Sequence, residues 1–301
     1  MSQSFNINPD IAKAETLPSI FYKNQDVFEG VKEKIFLKSW QWLGDNSGLK
    51  LTNSIQPLTL LDGFLSEPIL LTRDNDGLVN CMSNVCTHRG HILALGADKV
   101  KRIRCAYHGR TFDFKGNFKS MPEFSSTEDF PRDCDNLYQF PLYEWGPFLF
   151  AGLNPSFDFE EVINPIKERI GFLPLDQFSF NSSMSKDYLV QAHWALYCDN
   201  YLEGFHIPFV HEGLNKVLDY GSYKTELYKY SNLQIGYSDD SNEVFDLPKD
   251  HIDYGKKVAA YYYWVFPNMM FNFYPWGLSV NIVKPISINR TKVSFLSLIH
   301  I

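Results

Sequence analysis

Two short segments of the sequence each pair a cysteine with a histidine. The first reads Cys86-Thr87-His88 and the second reads Cys105-Ala106-Tyr107-His108, with sixteen residues between them. Two loops that each offer one thiolate and one imidazole can close over a pair of iron atoms from opposite sides. In a [2Fe-2S] centre of this mixed type, two cysteines hold one iron and two histidines hold the other. Gly90 and Gly109 follow the ligand pairs, and we expect them to turn the backbone so that N–H groups face the sulfurs.

A Cys2His2 zinc site, or four residues that never meet, are the alternatives to an iron cluster. Zinc-finger spacing usually pairs two cysteines in one loop and two histidines in the other. Here each segment mixes one of each. The spacing therefore favours the cluster over zinc.

A second group of metal-ligating residues lies about a hundred residues further along the chain. Glu203 is followed by His206 three residues later and by His211 five residues after that. Glu203 and His206 are expected to share a helix face. Pro208 is expected to break the helix and to swing His211 back towards His206. Two histidines and one carboxylate form the facial triad that leaves positions open on Fe(II).

Composition excludes several classes of protein. The chain of 301 residues has 28 Lys and Arg against 35 Asp and Glu, a net charge of −7, which argues against nucleic-acid binding through phosphate neutralisation. The five cysteines are an odd number in a long chain, which argues against a disulfide framework. We find no secretory signal and no apolar run long enough for a membrane span, so a cytoplasmic location is expected.

Hydrophobic periodicity and turn residues predict the elements that must position these residues. In chain order they are an amphipathic helix over 24–38, a strand-rich region over 43–155, a helix near 159–170, a strand near 183–194, a helix over 196–205 and a second β-rich block over 223–301. The polar segment 237–255 is expected to be a long loop or cover.

The segments CTHRG and CAYHG resemble the paired cluster loops of Rieske proteins. Respiratory-complex members carry one further cysteine in each loop, and His91 and Ala106 stand at the corresponding positions here. The serine that those high-potential proteins carry after the second glycine is replaced by Arg110. Loss of that hydroxyl donor is expected to lower the reduction potential, as an oxygenase requires.

The segment DNYLEGFHIPFVH resembles the iron-binding segment of Rieske oxygenase α subunits, within a resemblance that runs from about Trp40 to Arg290. It implies that His206 and His211 bind a mononuclear Fe(II). It also implies that Glu203 bridges this iron site and a cluster histidine, His108, of a neighbouring subunit. The implied assembly is a homotrimer or a multiple of one.

The resemblance also implies an α+β fold. The expected parts are an N-terminal helical segment over 1–39 that packs on the catalytic domain, a Rieske-type antiparallel β domain over 40–155, and a helix-grip (Bet v1/START-like) catalytic domain over 156–301. The implied activity is O2-dependent hydroxylation or oxidative demethylation of a small organic molecule. Electrons come from NAD(P)H through a partner reductase or ferredoxin, and no nucleic acid or membrane is involved. A Rieske electron-transfer protein without oxygenase activity is the alternative.

Two further groups of residues bear on substrate and partner. Five aromatic residues in a stretch that resembles choline and carnitine monooxygenases are expected to form a cage for a methylated ammonium, although alternating aromatics also fill cores: Tyr262, Trp264, Phe273, Tyr274 and Trp276. Four basic residues near the cluster loops either dock an acidic reductase or form a solvated hairpin face: Lys99, Lys101, Arg102 and Arg104.

The resemblance leaves one iron ligand unassigned. In the family the third ligand is an aspartate on a later helix, which is expected beyond residue 301. Residues 296–301, LSLIHI, match what a common sequencing adapter encodes. We therefore expect a C-terminally truncated sequence, and His300 is not counted as a ligand.

Overall fold

The computed structural model describes residues 5–210, 221, 223–238 and 243–300. The chain divides into two compact units. One unit is Lys38–Ser156, and the other combines Met1–Leu37 with Phe157–Ile301. We refer to them as the cluster unit and the large-sheet unit.

The cluster unit is built from ten short antiparallel strands in three sheets. Their bounds are β1 Trp40–Asp45, β2 Ser54–Leu60, β3 Glu67–Arg73, β4 Val79–Ser83, β5 Asp98–Lys99, β6 Ile103–Arg104, β7 Thr111–Phe112, β8 Phe118–Ser120, β9 Leu142–Trp145 and β10 Phe148–Gly152. The sheets have the orders β1-β10-β9, β4-β3-β2-β5 and β6-β7-β8. The strand-rich region predicted from the sequence is thus a small antiparallel β unit.

A compact apolar core holds this unit together. Leu70 and Met82 from paired strands are fully buried, and they pack in one cluster with Ile103 and Phe112 from the third sheet. Burial of such side chains stabilises the fold by roughly 1.5–3 kcal/mol each. Cys86 and Cys105 belong to the same cluster, so both ligand loops start from the core.

The large-sheet unit contains five helices and seven strands among the described residues. The helices are α1 Ile20–Lys23, α2 Gln25–Lys34, α3 Glu160–Ile170, α4 Trp194–Tyr201 and α5 Ile207–Val210. The strands are β11 Phe178–Val190, β12 Lys224–Leu227, β13 Ser231–Tyr237, β14 Val258–Val265, β15 Met269–Tyr274, β16 Gly277–Ser287 and β17 Arg290–His300. They form one antiparallel sheet in the order β11-β17-β16-β15-β14-β13-β12.

Helix α3 covers one face of this sheet. Its apolar side chains Val162, Ile163 and Ile166 are almost fully buried, at helical spacing. Tyr263 on β14 is buried and its hydroxyl donates to the Pro165 carbonyl at 3.5 Å. This contact shows which face of the central strands meets the helix.

The structure shortens two predicted helices. The helix predicted over 24–38 runs over Gln25–Lys34, and its N-terminus is capped by Asn24, whose side chain accepts from the Val27 N–H at 3.0 Å. The helix predicted over 196–205 runs over Trp194–Tyr201. The strand predicted near 183–194 is longer and begins earlier, over Phe178–Val190.

The C-terminal residues that match adapter-encoded sequence are part of a strand. Residues 296–300 continue β17, where Leu298 pairs with both Phe180 and Leu278 and is almost fully buried.

Among the described residues, no helix has the length and apolar character needed to cross a membrane.

Candidate metal centres

The two cysteine–histidine loops have the same backbone design. In the first loop the Cys86 N–H donates to the His91 carbonyl at 2.8 Å, and in the second the Cys105 N–H donates to the Arg110 carbonyl at 2.8 Å. Each loop is closed further by a glycine N–H that donates to its cysteine carbonyl at 3.0 Å. Each hydrogen bond of the first loop spans the same number of residues as the corresponding bond of the second loop, so the two loops adopt the same turn.

The two glycines adopt the left-handed backbone conformation. Gly90 has φ +68° and Gly109 has φ +74°. An L side chain rarely adopts this region, because its Cβ crowds the following carbonyl. The expectation that these glycines turn the ligand loops tightly is confirmed.

The cysteine and histidine ligands differ in burial. The Cys86 and Cys105 side chains are both 2% exposed within the apolar core. His108 is exposed and His88 is partly buried, and their ring centroids are 4.7 Å apart at an interplanar angle of 73°. Two buried thiols and two adjacent imidazoles match the asymmetric ligation in which one iron has sulfur ligands and the other nitrogen ligands.

One ring nitrogen of the site has no hydrogen-bond partner. Nδ1 of His88 is buried and makes no hydrogen bond within the part of the chain that the structure describes. Buried polar nitrogens are almost always satisfied, so an orphaned one indicates a missing ligand or metal. The donor set and this orphaned atom together fit a [2Fe-2S] cluster.

Burial and neighbouring groups shift the pKa values of two of the candidate ligands, His88 and Cys86. Burial lowers the pKa of His88, and the nearby positive charges of His108, Arg110 and Arg89 lower it further. A lowered pKa favours the neutral imidazole, which is the form that binds metal. Burial raises the pKa of the Cys86 thiol, and the neighbouring Cys105 raises it further, so a bound metal rather than the apoprotein would favour the Cys86 thiolate.

The four side chains do not converge on a single point. Among the described residues, no three His, Cys, Asp or Glu side chains are grouped closely enough to hold one metal ion. A tetrahedral zinc site requires four ligands around one ion, whereas each iron of a two-iron cluster needs only two protein ligands.

Glu203 and His206 form the core of the second candidate site. Glu203 Oε1 lies 2.5 Å from His206 Nδ1, and Glu203 Oε2 accepts from the backbone N–H groups of Phe205 and His206. Because Nδ1 is engaged by the carboxylate, a metal bound by this ring would be bound through Nε2. His211 lies outside the described residues.

The local backbone differs from the sequence prediction. Glu203 and His206 do not share a regular helix face, because α4 ends at Tyr201 and α5 begins at Ile207. Pro208 therefore lies in the first turn of α5, where a missing N–H costs nothing, and the break comes before it. The prediction that Pro208 breaks the helix is wrong.

Side chains of the sheet determine where α4 ends. Gln234 Nε2 donates to the Tyr201 carbonyl at 2.6 Å, and Asn232 Nδ2 donates to the Leu202 carbonyl at 3.3 Å. These carbonyls would otherwise accept from the next turn of the helix, so their capture by the sheet ends it. Sequence reasoning missed this role, since neither amide lies near the helix in the chain.

The predicted aromatic cage is divided between two faces of the sheet. Tyr262 and Tyr274 are in contact, with ring centroids 5.8 Å apart, and Trp276 stacks on Tyr274 at 4.9 Å. Phe273 instead contacts Tyr263 on the face that meets α3 and is fully buried there. Its inclusion in the cage is wrong, because neighbouring residues of a strand point to opposite faces.

The face of the sheet opposite α3 reaches the Glu203 turn through Tyr201. The Tyr201 hydroxyl donates to Asn272 Oδ1 at 2.7 Å, and Asn272 is the strand partner of Tyr262. Beside this contact Trp264 lines an open cavity of about 460 Å³ together with Leu202. We call Tyr262, Tyr274 and Trp276 the aromatic wall. The aromatic wall and the candidate iron ligands therefore belong to one region of the large-sheet unit.

Protein-family models match two parts of the chain. Residues 39–131 match the Rieske [2Fe-2S] domain, and residues 179–300 match the catalytic domain of the ring-hydroxylating alpha subunit. The first match contains the two cysteine–histidine loops, and the second contains the Glu203–His206 turn and the aromatic wall.

Several characterised proteins are similar over most of the chain. The chloroplastic choline monooxygenase of Arabidopsis thaliana is 27% identical over 95% of this chain and 68% of its own length. That of Beta vulgaris is 27% identical over 95% of this chain and 63% of its own length. The carnitine monooxygenase oxygenase subunit of Acinetobacter pittii is 28% identical over 91% of this chain and 72% of its own length. The chain thus spans about two thirds of the relatives that it matches.

Solved structures share the fold. A quaternary ammonium Rieske monooxygenase superimposes with a TM-score of 0.76 at 24% identity, covering 95% of this chain and 76% of the other. A naphthalene 1,2-dioxygenase superimposes with a TM-score of 0.72 at 16% identity, covering 94% and 71%. The α+β fold predicted from the sequence is confirmed.

Proposed function

We propose that this chain, which belongs to the family of Rieske non-haem iron oxygenase alpha subunits, is the oxygenase component of a system that hydroxylates or oxidatively demethylates a small organic molecule. The observation that carries this proposal is the presence of two donor sets in one chain. One is the pair of cysteine–histidine turns that share a backbone hydrogen-bond pattern, and the other is the Glu203–His206 contact beside an aromatic wall.

The proposed ligands form two groups, one for a centre that transfers electrons and one for a centre that activates O2. When bound, a [2Fe-2S] cluster and a mononuclear iron supply one-electron transfer and O2 activation. Cys86, Cys105, His88 and His108 would hold the cluster, and His206 and His211 would hold the iron. Glu203 orients the His206 ring and holds the proton on Nδ1. Overall, a C–H bond, O2, two electrons and two protons give C–OH and water.

A methylated ammonium is the substrate class that the wall supports best. Tyr262, Tyr274 and Trp276 lie together on the face of the sheet opposite α3, and Trp276 is exposed. A cation over such a ring gains about 0.5–2 kcal/mol, more as water is excluded. The similar choline and carnitine monooxygenases are named for substrates of this class. Hydroxylation of an N-methyl group gives a carbinolamine, which releases formaldehyde, so demethylation follows from the same chemistry.

Electrons are proposed to come from NAD(P)H through a separate reductase or ferredoxin. Lys99, Lys101, Arg102 and Arg104 are all exposed around β5 and β6, next to the second ligand loop. Such a positive surface would steer an acidic partner towards the cluster, with association that weakens as salt is added. A homotrimer is proposed as the assembly, and the mass of the purified protein measured by light scattering tests it.

Oxygen consumption by the purified, iron-loaded protein with a surrogate reductase tests the proposed function. Choline, carnitine and betaine are compared with benzoate, and formaldehyde and hydroxylated products are measured with O2 uptake. Uptake stimulated by the ammonium compounds, with matching product, supports the proposal. Cluster reduction without substrate-stimulated uptake would instead identify an electron-transfer protein. Stimulation by benzoate alone would overturn the substrate class but not the oxygenase.

A further inference from the structure

Arg110 crosses from one ligand loop to the other. It follows Gly109 in the second loop, and its side chain is only 3% exposed. Its Nη1 donates to Thr87 Oγ1 at 2.8 Å and to Asp135 Oδ1 at 3.1 Å. Thr87 lies between the two ligands of the first loop, Cys86 and His88. One guanidinium therefore joins the two loops directly.

The partners of Arg110 make further hydrogen bonds, and two aromatic rings lie beside its guanidinium. The Thr87 hydroxyl accepts from Arg110 and donates to the Asp135 carbonyl at 2.8 Å, so both of its hydrogen-bonding roles are used. The second carboxylate oxygen of Asp135 accepts from the Arg132 N–H at 2.9 Å. The guanidinium carbon of Arg110 lies 5.3 Å from the Phe118 ring centroid and 5.5 Å from that of Phe130. Side chains held by charge, hydrogen bonds and rings together lose their alternative rotamers.

The backbone does not provide such a link. Within the described residues, the backbone hydrogen bonds of the Cys86 and Cys105 turns are made inside each loop. The distance between the His88 and His108 rings therefore depends on side chains, both those of the apolar core from which the loops start and those that cross between the loops. A [2Fe-2S] cluster requires both imidazoles on the same iron, so a small rotation of one loop would change the coordination.

We propose that Arg110, through Thr87 and Asp135, is a positioning residue that fixes the first ligand loop against the second and thereby sets the placement of His88 relative to His108. The inference rests on the proposed function, since it assumes that these histidines hold the cluster. Arg110 itself touches neither the cluster ligands' metal-binding atoms nor the substrate wall. Its effect is on cluster geometry and retention.

The Thr87 hydroxyl is the sharpest place to test this role, because its removal leaves the buried ion pair intact. Thr87→Val keeps the shape of the side chain and removes the crossing hydrogen bond, whereas Thr87→Ser keeps the hydroxyl. Thr111→Val is the matched control. Thr111 is the neighbour of Arg110, and its hydroxyl bonds to Ser120 at 2.7 Å on the adjacent strand rather than to the first loop. Arg110→Met is included as the complete loss of the link.

The variants are compared in the full chain by visible circular dichroism, by electron paramagnetic resonance of the reduced cluster, and by the rate of cluster loss under a chelator. Thr87→Val and Arg110→Met are expected to shift the g values and to lose the cluster roughly tenfold faster, the lower end of the effect of removing a partner that orients a metal ligand. Thr87→Ser is expected to restore wild-type behaviour and Thr111→Val to retain it.

Unchanged spectra and retention rates in Thr87→Val would overturn the inference, as would equal changes in Thr87→Val and Thr111→Val. Should Arg110→Met fail to fold, the Thr87 pair still decides the question. A wild-type chain that assembles no [2Fe-2S] cluster would refute the proposed function and this inference together. A wild-type chain with a cluster and substrate-stimulated O2 uptake, but an unperturbed Thr87→Val variant, refutes this inference alone.

Discussion

The contact between Glu203 and His206 sets the chemistry of the candidate iron site at the scale of single residues. The carboxylate accepts two backbone N–H groups and the imidazole Nδ1 at once. The contacts to the Phe205 N–H and to the His206 ring are short, at 2.5 Å, as is typical of a carboxylate acceptor. The same side chain therefore shapes the turn before α5 and selects the nitrogen that faces a metal.

Replacing Glu203 by glutamine is expected to lower substrate-dependent O2 uptake by roughly 10–100-fold, the usual cost of losing a partner that orients a metal ligand. The amide is neutral and holds the His206 ring less firmly. Cluster absorption and acid-labile sulfide should stay at wild-type levels, because Glu203 does not belong to the cluster unit. Glu168→Gln, an exposed acid on α3, is the control and should be fully active. Wild-type uptake by Glu203→Gln would contradict the assigned role.

The two loop glycines offer a matched pair of alanine substitutions. A Cβ at Gly90 would meet no atom within 4 Å, whereas a Cβ at Gly109 would lie 3.3 Å from Pro122 Cγ. Gly90→Ala is therefore expected to cost only the left-handed backbone strain, about 1–2 kcal/mol. Gly109→Ala adds crowding and should cost more. Thermal loss of the cluster's visible circular dichroism measures both, and equal or reversed losses would count against the described loop geometry.

At the scale of elements, α3 is fastened to the polar segment that follows β13. The Arg169 guanidinium forms ion pairs with Asp253 and Glu226, and Asp253 also accepts from Lys256 at 2.6 Å and from the Tyr261 hydroxyl at 3.1 Å. The described part of the predicted long loop is thus held on the helix by a buried charge. Hydrogen bonds from Lys256, Arg169 and Tyr261 outweigh burial and lower the pKa of Asp253.

Asp253→Asn is expected to destabilise the large-sheet unit by roughly 3–5 kcal/mol at pH 7, because it leaves the Arg169 charge buried without its main partner. The sign of the pH dependence follows from the lowered pKa. The carboxylate stabilises the fold fully above its unfolded pKa of about 3.9, and this contribution is lost as pH falls through the lower folded pKa. The free energy of unfolding, measured from pH 7 to pH 2, should therefore fall less with decreasing pH in the variant than in the wild type. Asp250→Asn, which changes an exposed acid of the same segment, is the control. The same pH dependence of the free energy of unfolding in Asp253→Asn and wild type would refute the prediction.

At the scale of the whole molecule, the two candidate centres differ in how they are protected. The cluster thiols are 2% exposed in an apolar core, whereas the Glu203 and His206 side chains are 33% and 20% exposed. Ligands in an accessible turn exchange metal more readily than ligands that start from a packed core.

Brief dialysis of the iron-loaded protein against a chelator should therefore abolish substrate-dependent O2 uptake while leaving the visible absorption of the cluster intact. Fe(II) should restore uptake, and Zn²⁺ should not, because it has no redox chemistry. Iron and sulfide analysis before and after dialysis checks the assignment. Simultaneous loss of cluster absorption and uptake would show that the two centres are not distinguished in this way.

The sequence by itself determined the donor residues and the order of elements. The spacing within each cysteine–histidine segment is local, and the turn that it encodes is closed by hydrogen bonds between residues no more than five positions apart. The helix predicted near 159–170 likewise begins within one residue of the observed start of α3. Signals of this kind are readable because the interacting residues are neighbours in the chain.

Only the tertiary structure decided how distant side chains combine. Arg110 meets Asp135 from 25 residues away and Thr87 meets it from 48, so no local pattern marks the link between the loops. Gln234 ends α4 from 33 residues away, which placed the helix break before Pro208 rather than at it. The face on which Phe273 lies was set by strand register, because a shift of one residue exchanges the two faces of a strand. Residue identity and short spacing thus specify what can bind, whereas packing between distant segments determines which side chains meet.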